Sequence, residues 1–154
     1  MNRGRRQTLQ SGGAFAIIAA AVSAGILPAS AFADWNKAAF DAKTVNDVVK
    51  ALGGSGIEKS ADITITAPDI AENGAVVPVA VASKIAGTQS IAIVVEKNPY
   101  ALAAQFDIPA GTEANIGTRV KMGQSSNVHA VVKAGGKYFV ATKEVKVTLG
   151  GCGG

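Results

Sequence analysis

From Asp62 onward apolar side chains recur at every second position, and a period of two builds pleated strands rather than helices. Ile63 and Ile65 alternate with Asp62, Thr64 and Thr66, and Val77, Val79 and Val81 alternate with Pro78, Ala80 and Ala82. Ile91 to Glu96 is a near-continuous apolar run. Ala114, Ile116, Thr118, Val120 and Met122 face one way, while Glu113, Asn115, Arg119 and Lys121 face the other. Val128, Ala130 and Val132 follow, then Tyr138 to Leu149. Turn-forming residues separate these runs: Glu72-Asn73-Gly74, Ile108-Pro109-Ala110-Gly111 and Ala134-Gly135-Gly136-Lys137. Six or seven short strands with no helix between them predict a mainly β fold, an immunoglobulin-like antiparallel sandwich. The Ala134–Lys137 segment predicts a hairpin joining the last two strands, and the final strand holds its pattern to about Leu149.

A short helical segment precedes the strands. Between Asp34 and Gly54, residues Trp35, Ala38, Ala39, Ala42, Val45, Val48, Val49 and Leu52 recur at three- and four-residue spacing, which predicts one apolar helix face packed on the domain. Thr44, with Asp47 three residues on, has the form of a cap for a second short helix. Gly53-Gly54 supplies a helix stop. No Gly-Lys-Ser/Thr follows Gly53-Gly54-Ser55-Gly56, so that loop lacks a phosphate-cradling signature.

The first 33 residues read as an address and not as fold. Arg3, Arg5 and Arg6 open the chain, Gly12 to Ala33 carries no charge, and Ala31-Phe32-Ala33 forms a small-x-small cleavage site with Ala31 and Ala33 at its two small positions. The uncharged run is long enough to span a bilayer as a helix, yet its Ala, Gly and Ser content and Pro28 favour a cleaved export signal over a retained anchor. Arg5-Arg6-Gln7-Thr8-Leu9 resembles a twin-arginine signal, with Thr8 where phenylalanine is common, against general secretion as the alternative. No cysteine follows the cleavage site, so a lipoprotein is excluded. Of the 15 basic and 11 acidic residues, removal of residues 1–33 takes three basic and no acidic ones, lowering the net charge from +4 to +1. The basic excess thus belongs to the signal, and no basic run remains to read nucleic acid. The expected location is the periplasm.

The end of the chain carries the chemistry. Four of the 18 glycines and the single cysteine lie in Gly150-Gly151-Cys152-Gly153-Gly154. One cysteine and one histidine exclude an intramolecular disulfide framework and any multi-cysteine metal site, so neither metal nor cofactor is expected. Five residues extend by roughly 17 Å, and glycine adopts almost any backbone angle, so residues 150–154 predict a flexible, slim arm beyond a carrier domain at 34–149. Cys152 is its only nucleophile. Lys143 and Lys146 are the nearest cations in sequence, the Gly154 carboxylate disfavours the thiolate, and His129 falls on the outward positions of another strand. With no base or acid supplied in cis, the protein is expected to be a carrier whose partners do the catalysis. An adhesion or binding sandwich with an incidental thiol and a ubiquitin-like carrier activated at Gly154 are the alternatives. A disulfide-exchange enzyme would need a second cysteine or a local base. Two copies could also join through Cys152 as a disulfide.

The terminal Val147-Thr148-Leu149-Gly150-Gly151-Cys152-Gly153-Gly154 resembles the SoxY family, the sulfur-carrier subunits of the SoxYZ complexes of bacterial thiosulfate oxidation. Glu72-Asn73-Gly74 with Val77-Pro78-Val79, and Ala134-Gly135-Gly136-Lys137-Tyr138-Phe139-Val140-Ala141-Thr142, resemble that family's early strands and last hairpin. The resemblance implies covalent sulfur attachment at Cys152, with thiosulfate conjugated there by the haem enzyme SoxAX. It implies sulfate release by the hydrolase SoxB, and oxidation of the remaining sulfur by SoxCD where that enzyme exists. It further implies SoxZ as the constant partner, exported folded with this chain, and glycines on both sides of the cysteine so that one arm enters several active sites.

Overall fold

The structure is a computed structural model and describes residues 36–148. The export signal with Arg5, Arg6, Ala31 and Ala33 lies outside the described residues, as do Trp35, Leu149 and the arm from Gly150 to Gly154.

Two short helices open the described chain, α1 (Lys37–Asp41) and α2 (Val45–Ala51). Asn36 caps α1 by accepting the Ala39 N–H at 3.0 Å. Thr44 caps α2 by accepting the Asp47 N–H at 3.1 Å, and its hydroxyl donates to the Asp47 carboxylate at 2.7 Å. The single apolar face expected over Asp34–Gly54 is therefore split, with the chain extended at Ala42. The break has a tertiary cause. The Ala42 carbonyl accepts the Ala101 N–H at 3.0 Å, and Lys43 donates to the Pro99 carbonyl at 2.6 Å while lying over the Tyr100 ring. Gly53, at φ +89°, ends α2 in the left-handed region.

Nine strands follow among the described residues: β1 (Glu58–Lys59), β2 (Ile63–Thr66), β3 (Ile70–Ala71), β4 (Val77–Ser83), β5 (Thr88–Val95), β6 (Leu102–Asp107), β7 (Asn115–Val120), β8 (Ser126–Ala134) and β9 (Lys137–Val147). The larger sheet runs β1-β9-β8-β5-β6 with β3 also on β9, and the smaller runs β2-β4-β7. This is the mainly β, immunoglobulin-like sandwich expected from the alternation. The long pairings are antiparallel, whereas the two-residue strands β1 and β3 meet β9 in parallel. Strands β1, β3 and β6 were not among the runs expected: two are too short to show a period, and Leu102-Ala103-Ala104-Gln105-Phe106-Asp107 lacks alternation.

Two clusters make the core. Val77, Val79, Val81 and Val120 of the small sheet meet Ile91, Ile93, Val95, Val128, Ala130, Val132 and Val145 of the large one. On the opposite face of the large sheet, Ala92, Val94, Val131, Tyr138 and Val140 meet Ala39, Ala42, Val48 and Val49 of the helical segment. Strand β5 is thus buried on both faces, which is why Ile91–Val95 is apolar without alternation. Tyr138 packs beneath Gly54 and donates to the Leu52 carbonyl at 2.5 Å, tying the end of α2 to β9. Gly135 and Gly136, at φ +55° and +77°, form the two-residue turn of the β8–β9 hairpin.

Candidate functional site

The described chain ends where the expected arm begins, so the site the structure displays is the place where β9 hands the chain on. Strand β9 extends beyond its partner. β8 starts at Ser126, opposite Val145, and two further β9 residues lie past that pair. The hydroxyl of Ser125 continues the ladder, accepting the Val147 N–H at 2.9 Å and reaching back to the Val147 carbonyl at 3.4 Å. On the other edge, β3 pairs Ile70 with Lys146 and Ala71 with Val147. The Lys146 N–H donates to the Asp69 carbonyl at 2.9 Å, and the Thr148 N–H donates to the Ala71 carbonyl at 3.1 Å.

A third support comes from the turn at Gly74–Val76. Asn73 starts it by accepting the Ala75 N–H at 2.9 Å, and the Gly74 carbonyl accepts the Met122 N–H at 2.7 Å. A side chain at Gly74 would meet the Met122 carbonyl oxygen at 2.4 Å and Val147 Cγ1 at 2.8 Å, so glycine is required for this close approach. The loop carrying Ser125 is itself fixed by Asn98, which donates to the Lys121 carbonyl at 2.7 Å and accepts the Gly123 N–H at 3.3 Å. None of Ser125, Asn98 and Gly74 was singled out in the sequence as serving the chain end. The Glu72-Asn73-Gly74 turn was legible, but its contact with β9 lies far off in the chain.

Around this exit, Ile70 and Val76 are exposed large apolar side chains. Lys143, one of the two cations nearest Cys152 in sequence, is engaged by Asp69 at 2.9 Å. His129 is only 14% exposed and ties β8 to β9 and to the turn after β5: Nδ1 lies 2.9 Å from Thr142 Oγ1 and Nε2 lies 3.4 Å from Glu96 Oε2. Asn127 donates to the same carboxylate oxygen at 2.9 Å. The Asn127 amide, followed by His129, holds the Glu96 carboxyl below its usual range. His129 is thus a cross-strand tie on the outer face of the large sheet. Among the described residues, no three His, Cys, Asp or Glu side chains group as metal ligands. A shallow groove of about 540 Å³ lies on the small sheet, lined by Thr66, Pro68, Pro78, Ala80, Gly117 and Arg119.

The fold and this strand end define a class of protein: an immunoglobulin-like sandwich whose last strand is pinned on both edges up to Thr148. The family of sulfur oxidation protein SoxY matches residues 48–152, and the chain belongs to it. Among solved structures, the sulfur carrier protein SoxY from Chlorobium limicola f thiosulfatophilum is 39% identical, covering 68% of this chain and 94% of that one at a TM-score of 0.61. A superoxide reductase (neelaredoxin) from Ignicoccus hospitalis, 19% identical with 56% and 80% covered and a TM-score of 0.50, shares the fold alone. No curated protein matches the chain in sequence.

Proposed function

We propose that this protein is a periplasmic sulfur carrier, loaded on the thiol of Cys152 and presented to successive enzymes of thiosulfate oxidation. One observation carries the reading: the family match runs to residue 152 and so takes in the chain's only cysteine. The 39% identical structure is that of a protein described as a sulfur carrier, and the pinned end of β9 supports a role in which the following residues are offered to other proteins.

In the proposed cycle the Cys152 thiolate bonds to the outer sulfur of thiosulfate, and the two electrons released pass to SoxAX. Water then attacks the terminal sulfur under SoxB, so that sulfate and two protons leave and a persulfide remains on Cys152. SoxCD takes six electrons from that outer sulfur as three waters supply its oxygens, and SoxB hydrolysis then releases sulfate and restores the thiol. Where SoxCD is lacking, transfer of the sulfane sulfur to another acceptor leaves the thiolate directly. The chain contributes attachment and reach, and its partners contribute catalysis. SoxZ is the proposed constant partner, exported with this chain by the twin-arginine route signalled by Arg5 and Arg6, with cleavage after Ala33. Glycine at 150, 151, 153 and 154 suits one arm to differently shaped sites, and the Cys152 thiols of two copies can join as a disulfide when an oxidant takes up the two electrons and two protons leave.

Mass spectrometry of the protein from thiosulfate-grown cells tests this directly. Adducts of sulfur or thiosulfonate are expected on Cys152 and nowhere else, and Cys152→Ser is expected to end thiosulfate-dependent sulfate release with the fold intact. Sulfate release that continues in Cys152→Ser refutes the carrier reading, and adenylation at Gly154 supports the ubiquitin-like alternative.

A further inference from the structure

We infer that Ser125 is a positioning residue for the C-terminal arm: its hydroxyl, opposite β3, clamps Val147 and fixes Thr148 as the point from which Cys152 is delivered. The functional half of this inference rests on the carrier reading above. Strand β8 begins two residues short of what is needed to pair the end of β9, since Ser126 faces Val145 and Val147 lies two residues further on. The Ser125 side chain takes the place of the missing backbone, meeting both the N–H and the carbonyl of one residue. On the opposite edge, Asp69 and Ala71 supply the carbonyls that hold Lys146 and Thr148. Gly74 closes in on Val147 and Met122 from a third direction. Three separate elements thus converge on the last residues of β9, those from which the chain continues towards Cys152. With Thr148 fixed, Cys152 lies four residues on and can reach about 13–14 Å from it. With both edges of the strand end released back to Val145, seven residues would give the same sulfur a reach of about 23–25 Å. The clamp therefore narrows the volume in which a partner enzyme must find the cysteine.

The test compares wild type, Ser125→Ala and Ser125→Thr in the full-length exported protein. Amide hydrogen exchange at Val147 and Thr148 is expected to rise roughly three- to tenfold in Ser125→Ala, as for loss of one hydrogen bond, and to return towards wild type in Ser125→Thr. With SoxAX and thiosulfate, Ser125→Ala is expected to raise the KM for the carrier three- to tenfold while kcat stays within about twofold, again with rescue by threonine. Unchanged exchange overturns the clamp. Raised exchange with an unchanged KM overturns its role in delivery while leaving the carrier reading in place. Absence of any conjugation in the wild type refutes the carrier reading, whatever the exchange rates show.

Discussion

Replacing Gly74 by alanine tests the contact that binds the chain's exit to the sandwich. The added Cβ would stand 2.4 Å from the Met122 carbonyl oxygen and 2.8 Å from Val147 Cγ1. Real Cβ atoms essentially never approach closer than 3.0 Å, so Met122 and residue 74 must separate by about 0.6 Å. The obstacle is backbone and cannot rotate aside. The Met122 N–H to Gly74 carbonyl bond spans the same gap, so the separation strains it as well. Overpacking of this kind costs about 1–3 kcal/mol, and the lower chain entropy of unfolded alanine returns about 0.4–1 kcal/mol. The midpoints of these ranges leave a net loss of about 1.3 kcal/mol, or roughly 4–8 °C in Tm for a domain of this size. Gly123→Ala is the control, because a Cβ there meets nothing within 4 Å. Thermal unfolding followed by circular dichroism should separate the two variants. Equal Tm values for Gly74→Ala, Gly123→Ala and wild type would refute the close-approach argument.

Two further outcomes are expected. Because Asn127 and His129 hold the Glu96 carboxyl below its usual range, the pair contributes stability above the unfolded carboxylate pKa of about 4.3 and loses it as pH falls through the lower folded value. The urea midpoint of Glu96→Gln should therefore lie below wild type at pH 7, and the gap should close in acid. A gap that persists below about pH 3 contradicts this sign. In the hairpin, Gly136→Ala at φ +77° should cost about 1 kcal/mol in urea unfolding, while Gly135→Asn, which places Asn-Gly in the turn, should be neutral or stabilising by a few tenths.

Much of the sandwich was legible because burial on one face writes a period of two into β2, β4, β7 and β8. The β8–β9 turn was legible because two successive positive φ angles favour glycine. The split of the helical segment was harder to see. Thr44 and Asp47 marked the second helix, but the break at Ala42 depends on Ala101 and Pro99, more than fifty residues away. Strand β6 escaped notice because an alanine-rich edge strand pairs on one side only and shows no alternation. The proposed role of Cys152 rests on composition and position together, and the family match extends to that residue. The anchorage of the strand before it was not legible: a serine next to a strand carries no local mark that its hydroxyl will pair with a residue 22 positions on.

The nine consecutive β8–β9 pairs, from Ala134 opposite Lys137 to Ser126 opposite Val145, run without a register shift. That unbroken ladder makes parity a property of the carrier. One residue added to β9 before Val145 would turn Val145 and Val147 from the core to the other face and send the chain out on the wrong side of the sheet. Two would restore the side and advance the exit by about 7 Å. Residues added or removed after Thr148 leave that register unchanged, so there they can be gained or lost singly. The lineage of such a carrier can thus tune its reach one residue at a time, but can move its point of departure only in even steps.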